Sequence, residues 1–207
     1  MSVRMRDSVK HLREVLSGPV FQLLGYRPQR VSVADWDSEY RGGAWDYLGT
    51  IGSIAGQTSI LGYCQYLAPE TILDVGCGSG VLASKLKILP YKSFLGIDIS
   101  PEAIARADSV RDARTGFAVA EADDFHTDRT FDAIIFNQCL NYLSDPVATL
   151  VLYARLLNPN GRIIVSLFET ARSRLIWKLI DSDMRVLDWM RYGQSEGQGT
   201  TKVLLRR

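Results

Sequence analysis

Residues 71–80 read Thr71-Ile72-Leu73-Asp74-Val75-Gly76-Cys77-Gly78-Ser79-Gly80. A short, mostly apolar run enters three glycines spaced two apart, and helical spacing resumes over Val81–Leu89. Apolar residues without polar alternation mark a strand buried on both faces. Glycines at 76, 78 and 80 let the backbone turn tightly and approach a ligand closely. The turn leads into a helix N-terminus, whose free N–H groups and positive dipole end suit a carboxylate or another anion. The spacing is G-x-G-x-G rather than the G-x-G-x-x-G of dinucleotide sites.

The same alternation continues downstream. Ser93–Ile97 reads as a second strand, and Ser100-Pro101-Glu102 starts a helix with Ser as cap and Pro in the first turn. Gly116–Ala120 and Phe131–Phe136 read as the third and fourth strands. Asp145-Pro146 opens a helix that Asn158-Pro159-Asn160-Gly161 closes, and Arg162–Phe168 is the fifth strand. After a helix near Ser173–Ile180, Val186–Tyr192 and Thr200–Leu205 read as a closing hairpin. Strands alternating with helices predict an α/β, doubly wound, Rossmann-like sheet.

Upstream, the texture differs. Val9, Leu12 and Leu16, then Val20, Phe21 and Leu24, have helical spacing broken by Ser17-Gly18-Pro19. Val33–Gly43 reads as an aromatic and polar loop, and Trp45–Leu67 as a helix stopped by Pro69. The expectation is one domain over 1–207, with a helical cap at 1–68 and a cofactor-binding core at 69–207.

Composition narrows the function. The chain has 207 residues, 46% of them hydrophobic, and a formal charge of +1. That balance argues against a general polyanion binder, which needs many uncompensated Lys and Arg. It hides an asymmetry: residues 71–170 carry −3 and residues 171–207 carry +4. No apolar run approaches the roughly 20 residues that span a bilayer. Met1–Arg13 lacks the apolar core of a secretory signal. Three scattered cysteines and two histidines give neither a disulfide framework nor a metal site. The expectation is a cytoplasmic protein with no membrane partner and no protein-held metal. Nucleic acid is disfavoured, and a homodimer is left open.

Successive strand ends carry polar groups in an informative order. Asp98 lies 22 residues past Gly76, at the end of the second strand, where a carboxylate accepts hydrogen bonds from ribose hydroxyls. Asp123 or Asp124, after the third strand, can accept from an adenine amino group, with Ile99 or Phe125 against the ring. Amino acid, ribose and base in that order suggest S-adenosyl-L-methionine (SAM). Ile72–Gly80 resembles motif I of the class I SAM-dependent methyltransferases. Gly96-Ile97-Asp98-Ile99-Ser100 and Glu121-Ala122-Asp123 are similar to their ribose and adenine motifs. Phe131–Phe136 is similar to their fourth strand, and Leu156-Leu157-Asn158-Pro159-Asn160-Gly161 to the turn before strand five. The resemblance implies a seven-stranded sheet of order 3-2-1-4-5-7-6 with strand 7 antiparallel. It also implies SAM as cofactor and S-adenosyl-L-homocysteine (SAH) as product.

Trp36–Leu48 resembles the cap of bacterial small-molecule methyltransferases. The resemblance puts Tyr40, Trp45 and Tyr47 near the cofactor and Arg41 toward the methionine carboxylate. Candidate cofactor residues are then Tyr40, Arg41, Trp45, Asp74, Gly76, Cys77, Gly78, Gly80, Asp98, Ile99, Asp123, Asp124, Phe125, Asn137 and Gln138. Cys77 reads as a packing residue rather than a nucleophile, and Trp36, Trp177 and Trp189 as core or pocket wall alike.

Methyl transfer from an activated donor mainly needs alignment, so a general base is optional. Small-molecule relatives often carry Glu-His where Asn141-Tyr142 stand, and a Tyr with its ordinary pKa near 10 is a poor base. The catalytic candidates are Asn137, Tyr142 and Glu169. The expected function is methyl transfer to O or N of a small-molecule acceptor, a secondary metabolite or a sugar or glycan precursor. The competing readings are an RNA or protein methyltransferase using Arg172, Arg174, Lys178, Arg185 and Arg191, and a non-catalytic SAM-binding module. The fourth-strand exit lacks the N/D-P-P-Y/F tetrapeptide of nucleic-acid amino methylases.

Overall fold

The computed structural model describes residues 31–195 and 197–206. The helices expected around Val9–Leu24 lie outside the described residues.

Strands β1 (Thr71–Val75), β2 (Ser93–Asp98), β3 (Thr115–Val119), β4 (Phe131–Asn137), β5 (Leu157–Phe168), β6 (Met184–Gln194) and β7 (Gly197–Arg206) form one sheet. Its order is β3-β2-β1-β4-β5-β7-β6. The first five strands are parallel, and β7 runs antiparallel to β5 and β6. Successive residues of a strand face opposite sides, and the core shows it. Leu73, Val75, Ile134, Phe136, Ile163 and Val165 pack on one side. Ile72, Ala133, Ile135 and Ile164 pack on the other.

The helices are α1 (Val33–Arg41), α2 (Ile54–Leu67), α3 (Val81–Leu86), α4 (Pro101–Ala107), α5 (Pro146–Tyr153) and α6 (Ala171–Asp183). Their starts are chemically fixed. Ser100 Oγ accepts from Ala103 N at 3.1 Å, and Asp145 Oδ1 from Ala148 N at 2.9 Å, each ahead of a proline. Thr170 and Ser173 form a reciprocal capping box at α6. Residues of α2, α3 and α4 pack on one sheet face, and residues of α5 and α6 on the other.

Three sequence expectations are corrected. Val33–Gly43 is not a loop: Val33–Arg41 is a helix, because Ser32 Oγ caps it by accepting from Asp35 N at 3.1 Å. Its sole buried residue is Tyr40, so it lacks the apolar stripe that marks a helix in sequence. Trp45–Leu67 is not one helix. Short 3-10 turns at Asp46–Gly49 and Ile51–Ser53 flank extended Thr50 before α2 begins. Gly49, Thr50 and Gly52 are weak helix formers clustered within one turn. Strand β5 begins at Leu157, five residues early, because the Asn158–Gly161 segment joins the ladder through an irregular register opposite Phe131.

Candidate functional site

A cavity of about 850 Å³ opens at the carboxyl ends of the parallel strands. The chain leaves β1 for β2 and β3 on one side and returns to β4 on the other, and such a switch in strand order leaves a crevice for a ligand. The volume is near the upper end of the roughly 300–1,000 Å³ usual for small-molecule sites.

The glycine loop is held against β2, with Gly76 N donating to Ile97 O at 2.8 Å and Cys77 N to the same oxygen at 3.0 Å. Gly76 and Gly78 have φ of +69° and +54°. A side chain on Gly76 would meet Cys139 Cβ at 2.7 Å, and one on Gly78 would meet the Tyr40 hydroxyl at 2.7 Å. The loop must therefore be bare backbone at both positions.

Asp98 fixes the loop from the next strand. Its Oδ2 accepts from Gly78 N at 2.9 Å and its Oδ1 from Ser100 N at 3.0 Å. The Ile99 N–H faces it as well, and since a carboxylate has about four acceptor positions, capacity remains for a hydroxyl donor. Asp74 is 1% exposed, and neither carboxylate oxygen has a partner among the described residues. Burial, aided by the charge of Asp98, pushes its pKa up to about 8. Burial raises Asp98 as well, against the backbone N–H groups that lower it. A buried acid beside a half-buried one, both with acceptor capacity, suits a ligand that brings hydroxyls and positive charge.

Asp123 ties β3 to the fourth-strand exit. Its Oδ1 accepts from Thr149 Oγ1 at 2.9 Å and its Oδ2 from Ser144 N at 3.2 Å. Gln138 holds a left-handed backbone, φ +60°, unusual for a residue with a Cβ. Its Oε1 accepts from Phe168 N at 2.8 Å and its Nε2 donates to the Tyr192 hydroxyl at 3.0 Å, which in turn meets Ser166 Oγ at 2.9 Å. The exit of β4 is thereby locked to β5 and β6.

The cap closes the cavity from above the loop. Tyr40 is 7% exposed. Trp36 meets Tyr142 edge-on with ring centroids 4.9 Å apart, and Trp45 lies 5.7 Å from Trp36 and 6.2 Å from Tyr47. Asp37 Oδ1 latches the cap to α4, accepting from Ser100 Oγ at 2.5 Å and from Glu102 N at 3.2 Å. These two bonds hold the Asp37 carboxyl below its ordinary pKa.

Most of the expected site residues line this cavity: Tyr40, Trp45, Asp74, Gly76, Cys77, Gly78, Asp98, Ile99, Asp123, Asn137, Gln138 and Tyr142. Five do not. Arg41 is exposed and its Nε donates to Asp37 O at 3.2 Å. Gly80 instead packs against Ala107 and Phe117 at the start of α3. Asp124 faces exposed His126 at 3.4 Å. Phe125 stacks on Tyr153 with centroids 6.2 Å apart. Glu169 pairs with Arg191 at 3.3 Å. Asp123 rather than Asp124 thus faces the cavity, and Ile99 rather than Phe125.

Of the tryptophans, Trp36 is a cavity wall, Trp177 is core and Trp189 is 56% exposed. Gln57, Thr170 and Arg172 also line the cavity. Sequence reading missed Gln57, Thr170 and the structural role of Tyr192. Gln57 carries no signal that sets it apart, since Thr58, Ser59 and Gln65 are polar residues of the same helix. Tyr192 carried none, since 54 residues separate it from Gln138.

Among the described residues, no group of three or more His, Cys, Asp or Glu is arranged to hold a metal ion. No helix among them is long and apolar enough to cross a membrane.

A family model described as a methyltransferase domain matches residues 68–205. Over 105 residues the chain is 32% identical to a ubiquinone biosynthesis O-methyltransferase of Xanthomonas oryzae pv. oryzae, which covers 48% of this chain and 44% of that protein. It is 32% identical over 123 residues to an uncharacterized methyltransferase of Mycobacterium bovis, covering 55% of this chain and 58% of that one. The matches thus span about half the length of these curated relatives. The fold is similar to N-methyltransferase NodS from Bradyrhizobium japonicum WM9 in complex with SAH. The TM-score there is 0.69 at 18% identity, covering 84% of this chain and 97% of that one. It is similar too to the 1,6-didemethyltoxoflavin-N1-methyltransferase of Burkholderia thailandensis, with TM-score 0.68 at 18% identity and coverage of 84% and 86%.

Proposed function

Because this chain belongs to the methyltransferase-domain family, with the class I, Rossmann-like sheet order of SAM-dependent methyltransferases, we propose that it transfers a methyl group from SAM to an oxygen or nitrogen of a small-molecule acceptor. One observation carries the reading. A single cavity joins a bare glycine loop and the acids Asp74 and Asp98 to an aromatic cap, so donor and acceptor share one space. The residues fit the cofactor: Asp74 has orphaned buried oxygens, the half-buried Asp98 carboxylate lines the cavity, and the Gly76–Gly78 backbone leaves room that a Cβ would fill. The named activities of relatives, an O-methyltransferase of ubiquinone biosynthesis and an N-methyltransferase of a toxoflavin precursor, support a small acceptor without choosing its nucleophilic atom.

When bound, SAM supplies a methyl group already activated on a sulfonium, which passes in line to an acceptor lone pair. Asp98 and Asp123 orient the donor, the Gly76–Gly78 backbone sets its depth, and Tyr40 with the cap excludes water. Holding two reactants in register contributes about 7–11 kcal/mol, so alignment is the main catalytic term here. Neither Tyr142 nor Glu169, the two ionisable residues among the expected catalytic groups, is placed as a base. Tyr142 is half-buried, and its desolvation together with nearby Glu39 holds its hydroxyl protonated against the pull of Arg172. Glu169 is engaged by Arg191 outside the cavity. Asn137 lines the cavity at the exit of β4 and carries an amide suited to orient an acceptor. A neutral amine, or a hydroxyl made acidic by its own ring, fits this chemistry best.

Of the basic C-terminal residues, Arg172 lines the cavity, Arg174 and Lys178 are exposed on α6, Arg185 is exposed on β6, and Arg191 pairs with Glu169. Titration calorimetry with SAM and SAH tests the cofactor reading. Binding of both is expected, and binding of neither overturns it. Methyl transfer from labelled SAM into pooled small metabolites, but not into pooled RNA or protein, is the expected outcome for the acceptor. Turnover on RNA or protein alone overturns that part.

A further inference from the structure

The cavity is chemically divided. Its strand-end half holds acids, whereas aromatic rings line the other half, with the Gln57 amide and the Arg172 cation beside them. Trp36, Trp45, Tyr47 and Tyr142 pack on one another, each within about 6 Å centroid spacing of a neighbour. Rings packed in this way present a continuous aromatic wall on which a flat π-system stacks with little entropy to lose. Gln57 is 4% exposed and lines the same half. Its Nε2 donates to Leu48 O at 2.7 Å, which fixes the amide, and its Oε1 has no partner among the described residues. A buried acceptor without a donor is rare and costly, and it marks a place where a ligand supplies the missing N–H or O–H. Arg172 is the one cationic side chain among the described cavity-lining residues. It sits in the first turn of α6, a 13-residue helix whose Thr170 cap and Ala171 also line the cavity. A half-buried guanidinium beside a helix N-terminus favours a carboxylate or another acidic group.

We infer that the cap half takes a planar aromatic acceptor bearing two recognition groups: a hydroxyl or ring N–H that donates to Gln57 Oε1, and an acidic substituent held at Arg172. The inference rests on the methyltransferase reading and names the substrate class of that same site. Stacking against the tryptophans sets the ring plane, and the two polar anchors set its rotation within that plane. Rotation decides which ring atom meets the methyl group, so Gln57 and Arg172 are specificity residues.

The test uses the full chain saturated with SAH and calorimetric titration of four probes. These are 3,4-dihydroxybenzoate, its methyl ester, benzoate and the non-aromatic hydroxy acid quinate. Expected is measurable binding of dihydroxybenzoate, at least tenfold weaker binding of the ester and of benzoate, and none of quinate. Arg172→Gln is expected to erase the preference for acid over ester, and Gln57→Leu the preference for dihydroxybenzoate over benzoate, both with SAH affinity unchanged. Unchanged SAH affinity also reports that each variant is folded, and the wild-type preferences stand as a test without any variant. Failure of all four probes to bind SAH-saturated protein overturns the inference and leaves the cofactor reading intact. Equal binding of acid and ester, or of aromatic and non-aromatic acid, overturns it as well. Failure of SAH itself to bind overturns the cofactor reading, and the inference with it.

Discussion

The strand ends and the cap build one cavity by different means. At the strand ends, each functional group sits within a few residues of a buried parallel strand, and backbone pairing fixes it. Gly76 and Cys77 hang from Ile97, and Gly78 is held by Asp98 one strand over. In the cap, the groups sit on a short helix and two 3-10 turns, held by side-chain contacts such as Asp37 to Ser100 and Arg106 Nη1 to Asp46 at 2.8 Å. The first construction places atoms to within a bond length. The second places aromatic surfaces through side-chain contacts. Substitutions at the strand ends should therefore cost more than substitutions in the cap.

The largest effect is expected at Gly78. Gly78→Val adds a branched side chain where φ is +54° and where the first carbon already meets Tyr40 Oη at 2.7 Å. Calorimetry should find no SAH binding at concentrations that saturate the wild type. Retained binding would show that the loop does not form the cofactor floor. Next comes Asp98→Ala, which removes the acceptor of the Gly78 and Ser100 N–H groups together with the acceptor capacity left for a ligand hydroxyl. Loss of a hydrogen bond to a charged group costs about 1.5–3 kcal/mol, so SAH affinity should fall by about one to two powers of ten. An unchanged dissociation constant would remove Asp98 from the site.

Asp74 should give an effect of mixed sign. In the folded chain it keeps its proton up to about pH 8, whereas the unfolded chain releases it near the ordinary value of 3.8. Between these values the native state binds more protons than the unfolded state, so stability from this group falls as pH rises. Asp74→Asn removes the ionisable group. In the absence of ligand its thermal midpoint should exceed the wild type by more at pH 8 than at pH 5, and SAM affinity should drop. Parallel melting curves at the two pH values would contradict the shift. A carboxylate kept at a cost to stability is expected where a ligand, rather than the fold, needs it.

The cap counterpart is Asp37→Ala. Asp37 is bonded to Ser100 Oγ and Glu102 N but lies at the surface of the latch. Its carboxyl titrates below the ordinary value, so the latch is intact at neutral pH and weakens only as pH falls into the acid range. The variant should lose SAH affinity a few-fold, with global stability near the wild type. A loss as large as that of Asp98→Ala would erase the distinction between the two regions.

The same difference governs what the sequence discloses. Ile72–Gly80, Asp98 and the Ser100-Pro101 cap are legible because each is a contiguous pattern whose neighbours in sequence are its neighbours in space. The sheet order follows from them through the resemblance to a family. The cap resisted reading. The Val33–Arg41 helix buries only Tyr40, so its sequence carries no apolar stripe, and its cap residue Ser32 is a common surface residue. The family resemblance points Arg41 toward the methionine carboxylate, yet it lies one residue past Tyr40 on a helix, which rotates it about 100° away. Asp123 and Asp124 were indistinguishable by type. Only the bonds from Ser144 and Thr149 set Asp123 against the fourth-strand exit. Ser166 and Tyr192 lie on two different strands and Gln138 just past the end of a third, and no local pattern joins them.

The smallest effect is expected at Tyr142, and it is the most informative about chemistry. Tyr142 stands where a catalytic His would be, against the edge of Trp36 and within reach of Arg172 electrostatically. If its hydroxyl removed the acceptor proton, Tyr142→Phe would slow turnover by the hundred- to ten-thousand-fold typical of a lost general base. Burial and Glu39 raise its pKa, and Arg172 offsets only part of that rise, so at neutral pH the hydroxyl is protonated and acts as a wall and a hydrogen-bond donor. Tyr142→Phe keeps the ring and its packing on Trp36. Turnover of whichever acceptor is methylated should stay within about threefold of the wild type, less than 1 kcal/mol in barrier, and the pH profile of kcat should keep its shape. A hundredfold loss with a displaced alkaline limb would instead make Tyr142 the base, and the fourth-strand exit would then carry chemistry beyond alignment.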